Sequence, residues 1–149
     1  MNNQDEFPSS NTLRPILLVE DNPMDVDLTR RAFAMRNIAN SLQVARDGAE
    51  ALMYLAKWEA GDPVPCVILL DLNLPRVSGL EVLRQIKTHA RWHTIPIVIL
   101  TTSSEDADIH RAYEYSVNSY IVKPVSFEKF MEVAIHIEVY WGILNRVPT

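Results

Sequence analysis

Only one cysteine, Cys66, is present, so no internal disulfide can form and a reducing cytoplasm is the expected setting. It opens an apolar run, the place of a small core residue rather than a reactive thiol. No apolar stretch approaches the length needed to cross a bilayer, so no membrane association through a spanning helix is expected. The opening "MNNQDEFPSSNT" has neither a basic region nor an apolar one behind it, and no secretory signal is expected. Positive charge is also short: a net charge of −5 disfavours nucleic acid, whose phosphates are gripped by clustered Lys and Arg. The nearest basic cluster, "TRRAFAMR", reads as the solvated face of a helix. Nor is there a Gly-rich phosphate loop after the first apolar run, as a flavin or nucleotide carrier would need. The segment there, "EDNPMD", would repel phosphates unless a metal intervened.

The chain's 149 residues fit one domain with a real core, and 48% hydrophobic with 22% charged content is ordinary for a globular protein. Residues 1–13 are polar and irregular and read as a flexible tail, which leaves 14–149 as a single domain ending in an extended helix. Five apolar runs follow: "PILLVE", "LQVAR", "CVILLD", "IPIVILT" and "SYIVK". At least three are continuously apolar and rich in Val, Ile and Leu, the pattern of parallel strands covered on both faces. Each is followed by a helix-start signal: Asn22-Pro23, Asp47 with Glu50, Ser78 with Glu81, Ser103 or Ser104, and Ser126. Leu80, Leu83 and Ile86 share one helical face, as do Ile109, Ala112 and Tyr113. Five βα units with right-handed crossovers imply an α/β fold, a doubly wound five-stranded parallel sheet of order 2-1-3-4-5 flanked by five helices.

That order gives Asp71 an address. Taken alone, a carboxylate ending "VILLD" would serve equally well as a strand terminator or turn residue. In the 2-1-3-4-5 sheet, however, the ends of strands one and three lie side by side at the crevice where such folds bind ligands, so Glu20 and Asp21 join Asp71. Three acidic groups at one rim repel unless a cation sits among them, and hard oxygen ligands completed by water suit Mg²⁺. Asp21 and Asp71 are expected to bind the ion directly, Glu20 through water, with the backbone carbonyl of Asn73 as a further ligand. Thr101 and Lys123 end strands four and five on the same rim. A hydroxyl and an ammonium around a metal-bound carboxylate are what a transferred phosphoryl group needs. Each residue has a plain alternative of its own, as helix cap, turn residue or strand terminator.

Together, "VEDN", "DLNLPRVSG", "ILTTS" and "YIVKP" closely resemble the receiver domain of bacterial two-component response regulators, a flavodoxin-like fold, over residues 15 to about 140. The spacings from Asp71 to Thr101 and to Lys123 also match that family. "VILTTS" and the insertion-like "KWEAGDPVP" look closest to the single-domain regulators paired with cyanobacterial phytochromes. The resemblance implies that Asp71 accepts a phosphoryl group from the histidine of a sensor kinase, of phytochrome type, in a Mg²⁺-dependent reaction. It implies that Lys123 contacts a phosphoryl oxygen, that Thr101 turns its hydroxyl toward the group, and that Tyr120 is the aromatic switch. Thr102, bulkier than the residue often found there, bears on access, and Asn73 and Ser103 sit where acyl-phosphate lifetime is tuned. Glu20 departs from the paired aspartates of many relatives but still suits a water-mediated ligand.

With no room expected for an output domain, the signal must leave through protein contacts. In "SFEKFMEVAIHIEVYWGILNRVPT", Phe127, Met131, Ala134 and Ile137 can face the sheet, which leaves Phe130, Val133, Tyr140 and Trp141 on a neighbouring stripe. A homodimer through the fourth helix, fifth strand and fifth helix is therefore expected, with Phe127, Phe130, Val133, Tyr140 and Trp141 as its surface. A C-terminal segment folded back over its own domain is the alternative. His89 and His93 are spaced i, i+4 but flank Trp92 at a helix end, where metal binding is not expected. A phosphatase or dehalogenase would need a second acid two residues after Asp71, where Asn73 stands. A receiver-like binding module that works without phosphorylation is the remaining alternative.

Overall fold

The computed structural model describes residues 14–123 and 125–138. The expected tail over 1–13, Pro124, Tyr140, Trp141 and the end of the expected C-terminal helix lie outside the described residues. The elements alternate strictly: β1 (Ile16–Val19), α1 (Pro23–Met35), β2 (Leu42–Ala45), α2 (Gly48–Glu59), β3 (Val67–Leu70), α3 (Gly79–Lys87), β4 (Ile97–Thr101), α4 (Asp106–Glu114), β5 (Ser119–Val122) and α5 (Phe127–His136). All pairings are parallel and the sheet order is β2-β1-β3-β4-β5, as the sequence pattern implies. One row runs through Val44, Leu18, Leu69, Val98 and Ser119 across the whole sheet.

Strand period divides the core. Leu17, Val19, Ile68, Leu70, Ile97 and Ile99 point to the side carrying α2, α3 and α4, where Ala51, Val82, Leu83, Ile86 and Ala112 meet them. Ile16, Leu18, Val67, Leu69, Val98 and Leu100 point to the side of α1 and α5. The central strands β1, β3 and β4 are buried throughout and, apart from Thr101 at the end of β4, are apolar on both faces. Cys66 is buried there too, and burial pushes its thiol pKa up, away from reactivity.

Four of the five helix starts use the expected caps. The side chains of Asn22, Asp47, Ser78 and Ser126 accept from the backbone N–H of Met24, Glu50, Glu81 and Lys129. The fourth differs: α4 begins at Asp106 behind Glu105, which makes no side-chain cap bond. Ser103 is occupied elsewhere, its hydroxyl on Asp108 at 2.5 Å and its carbonyl accepting from Tyr120 at 2.8 Å. Tyr113 also departs from expectation. Ala112 is buried, but Tyr113, one residue round the helix, is 51% exposed.

The largest correction concerns α5. Phe130 and Val133, expected on a partner-facing stripe, are buried together with Ala134 and Ile137 against Val26, Ala32 and Phe33 of α1. Phe127 and Met131 flank that stripe, half-buried. The arc is not too wide for one surface, because α5 meets both the sheet and α1 at once. Truncating Phe130→Ala should therefore cost about 3–5 kcal/mol of folding stability, as for a buried aromatic. Urea unfolding measures it, and a loss under 1 kcal/mol would mean that this ring is not core.

Candidate functional site

The sheet extends one residue past its strands, and this places the chemistry. Glu20 N–H donates to the Ala45 carbonyl (2.9 Å), Asp71 N–H to that of Val19 (3.0 Å) and Lys123 N–H to that of Thr101 (2.7 Å). Three side chains far apart in sequence thus start from backbone positions set by parallel register, on one rim. Carboxylate oxygens of Glu20, Asp21 and Asp71 lie within 4.8 Å of one another, with Glu20 and Asp71 buried and Asp21 exposed.

The Lys123 ammonium sits against this cluster. It donates to Glu20 Oε1 at 2.7 Å and to Asp71 Oδ2 at 3.1 Å, and it pairs with Asp25 Oδ2 at 2.8 Å. Burial works to lower the Lys123 pKa, but the hydrogen bonds to Asp25 and Glu20 outweigh it, so the group is held above its ordinary value and stays charged. Glu20 moves the other way from a normal carboxylate. Burial pushes its pKa up to about 7, the Asp71 charge adds to that, and the Lys123 contact opposes it only in part. The remaining Glu20 oxygen accepts from the Asn22 N–H at 3.1 Å.

The other expected residues surround this centre. Asp71 Oδ1 accepts from the Asn73 N–H at 2.9 Å, so both oxygens of Asp71 are held. The Asn73 amide donates to the hydroxyls of Thr102 (2.6 Å) and of fully buried Thr101 (3.3 Å), joining the ends of β3 and β4. The Tyr120 hydroxyl donates to the carbonyl of Ser103, two residues beyond Thr101. Burial is the main reason that its pKa is raised, and it remains a neutral donor.

Sequence reasoning missed three contributors. Asp25 reads as a first-turn acid of α1, and only the fold brings it to Lys123. Gly79 reads as the first residue of α3. Its N–H donates to Leu72 O at 2.9 Å, and a Cβ there would collide with the Asp71 carbonyl and the Leu72 Cα. Gly48 likewise leaves no space for a Cβ against Val77. Both glycines allow helices to press on the loop after Asp71, and their neighbours "SG" and "DG" were the only signal. His89 pairs with Glu59 at 2.8 Å and stacks on Trp92, so it serves the packing at the far end of α2 and α3.

A donor set of clustered carboxylates with a single ammonium among them fits a hard divalent cation. The Glu20 shift also has a stability consequence. At acidic pH Glu20 is protonated both folded and unfolded. As pH rises from about 4.5 toward 7 only the unfolded chain ionises, so the folded state loses ground. In metal-free buffer the melting temperature of the protein minus that of Glu20→Gln should fall across this window and level off above it. A flat difference would show that Glu20 ionises normally in the folded protein.

Residues 16–135 match the response regulator receiver domain family model. The probable methanogenesis regulatory protein FilR2 of Methanothrix harundinacea is 47% identical over 134 residues, 89% of this chain and 86% of that one. Response regulator Rcp1 of Synechocystis sp. is 38% identical over 135 residues, 89% of this chain and 91% of that one. Its Mn²⁺-bound crystal structure aligns with a TM-score of 0.77 at 36% identity, covering 91% of this chain and 99% of that one. The crystal structure of the phosphorylated cyanobacterial phytochrome response regulator RcpA aligns at 0.76 with 38% identity, over 86% and 93% of the two chains. The chain belongs to the response regulator receiver domain family.

Proposed function

We propose that Asp71 is the acceptor for a phosphoryl group delivered by a sensor histidine kinase, and that the chain signals through protein contacts from the cytoplasm. The observation that carries this reading is the rim itself: a buried carboxylate at the end of β3 with an ammonium at 3.1 Å and two further carboxylates beside it. An Asp71 oxygen attacks phosphorus in line, the P–N bond of the kinase phosphohistidine breaks, and the histidine leaves with the bonding pair. Asp71 becomes an acyl phosphate. Asp21, Asp71, the Asn73 carbonyl and, through water, Glu20 would hold Mg²⁺, which supplies charge neutralisation for the group. Lys123 offers an ammonium to a phosphoryl oxygen and stays charged while buried.

The readout follows from hydrogen bonds already in place. The Thr101 hydroxyl accepts from the Asn73 amide, which also holds Thr102, and so keeps its own O–H to donate to a phosphoryl oxygen, toward which it would have to turn. Displacement of the 101–103 loop moves the Ser103 carbonyl to which Tyr120 is tied, so Tyr120 and β5 respond. Tyr113 on α4 and Val122 on β5 are exposed apolar residues on that side, and they support a homodimer through α4, β5 and α5 in place of Phe130 and Val133.

RcpA is a cyanobacterial phytochrome response regulator, which supports a phytochrome-type kinase as partner. FilR2, named a probable methanogenesis regulatory protein and 47% identical, supports a second reading, a histidine kinase of another type, against which stands the equal 47% identity of the bacteriophytochrome response regulator AtBRR. Phosphotransfer from one kinase of each type, timed over the first minute, decides between them by which is faster.

Intact mass after incubation with phosphoramidate tests the central reading. One phosphoryl increment is expected that requires Mg²⁺ and is absent in Asp71→Asn. No increment from this donor or from a phosphorylated histidine kinase would leave the phosphorylation-independent binding module as the function.

A further inference from the structure

Asp25 occupies the third position of α1, where an acidic side chain ordinarily reaches back to the N-cap N–H or favours the helix dipole. The first does not describe it here, and the second does not account for where its carboxylate goes. The N-cap residue Asn22 already has its N–H satisfied by Glu20 Oε2 at 3.1 Å, and its own side chain accepts from Met24. Asp25 is left to reach across to β5, and its carboxylate meets Lys123 Nζ at 2.8 Å with only 18% of its side chain exposed.

A lysine ammonium has three N–H donors and no acceptor. Lys123 has three carboxylate partners, and the two shorter contacts are Glu20 at 2.7 Å and Asp25 at 2.8 Å. The longest, at 3.1 Å, is Asp71, the group that has to change partners when a phosphoryl oxygen arrives. Asp25 is also outside the trio whose oxygens converge within 4.8 Å, so a divalent cation entering there competes with Lys123 for Glu20 and Asp71 but not for Asp25. Two cations side by side repel, and a carboxylate that serves only the ammonium keeps it in place.

We propose that Asp25 is a positioning residue for phosphoryl transfer, holding the Lys123 ammonium beside Asp71 while the other two carboxylates take up the metal. The inference rests on Asp71 being the phosphoacceptor. It gives α1 a part in the reaction beyond carrying Asp21 and Asn22 at its entrance.

The test is the rate of modification by phosphoramidate at saturating Mg²⁺, followed by intact mass, for the wild type, Asp25→Ala, Asp25→Asn, Lys123→Ala and the Asp25→Ala/Lys123→Ala double variant, with a thermal melt of each. Asp25→Ala should slow modification about tenfold, the scale on which misplacing a charged group acts. Asp25→Asn, which keeps an oxygen for the ammonium, should fall between it and the wild type. In the Lys123→Ala background the same substitution should change nothing, because its effect runs through the ammonium. Equal slowing in both backgrounds, or a lowered melting temperature with an unchanged rate, would reduce Asp25 to a helix-terminal acid and overturn the proposal. A wild type that takes up no phosphoryl group fails at the acceptor itself, and is told apart by having no rate to compare.

Discussion

The buried ammonium of Lys123 is the constraint on which the rim depends. Glu20 and Asp71 are almost wholly removed from water, and unpaired carboxylates in that position would destabilise the fold by several kcal/mol. One cation shared among Glu20, Asp25 and Asp71 makes the arrangement tolerable. It does not neutralise it, because Asp21 is also at the rim and the acids outnumber the base. The residual negative charge provides an attraction for a metal ion, and burial pushes the Glu20 pKa up to about 7 although the Lys123 contact opposes it. Stability and reactivity at this site are two consequences of one charge imbalance.

The sheet supplies the precision that this imbalance needs. Parallel register carries on for one residue past β1, β3 and β5, so the backbones of Glu20, Asp71 and Lys123 are held by hydrogen bonds that do not depend on their side-chain contacts. The loop after Asp71 is held from both sides, by Gly79 at the start of α3 and by Gly48 at the start of α2. On the opposite flank the contacts are of a different kind. The Asn73 amide donates to the hydroxyls of Thr101 and Thr102, and the Tyr120 hydroxyl donates to the Ser103 carbonyl, single polar contacts that can be exchanged at small cost. A firmly held acidic centre beside an exchangeable loop is what the switch proposed above would need.

Membership of the receiver family and similarity to Rcp1 and RcpA set this rim among those of response regulators. The Mn²⁺-bound structure of Rcp1 shows that a relative with the same fold takes a divalent cation.

Much of this was legible in the sequence, because the signals are local. Continuous Val, Ile and Leu runs mark central parallel strands, and Asn22-Pro23, Asp47, Ser78 and Ser126 mark helix starts with hydrogen bonds that span two or three residues. Once the strand order is inferred, the convergence of Glu20, Asp21, Asp71, Thr101 and Lys123 follows from topology alone. Contacts between side chains remote in sequence were not legible. Periodicity left the centre of the α5 stripe open by about one residue, and only packing against both α1 and the sheet chose Phe130 and Val133 for the core. Ser103 has good capping chemistry, yet the Tyr120 hydroxyl and Asp108 drew it into the site loop instead. Asp25 looks like any first-turn acid until α1 and β5 are brought together. Local hydrogen bonding and hydrophobic period determine which elements form and where they end; which charges then meet depends on close packing among elements, and that exists only in the folded protein.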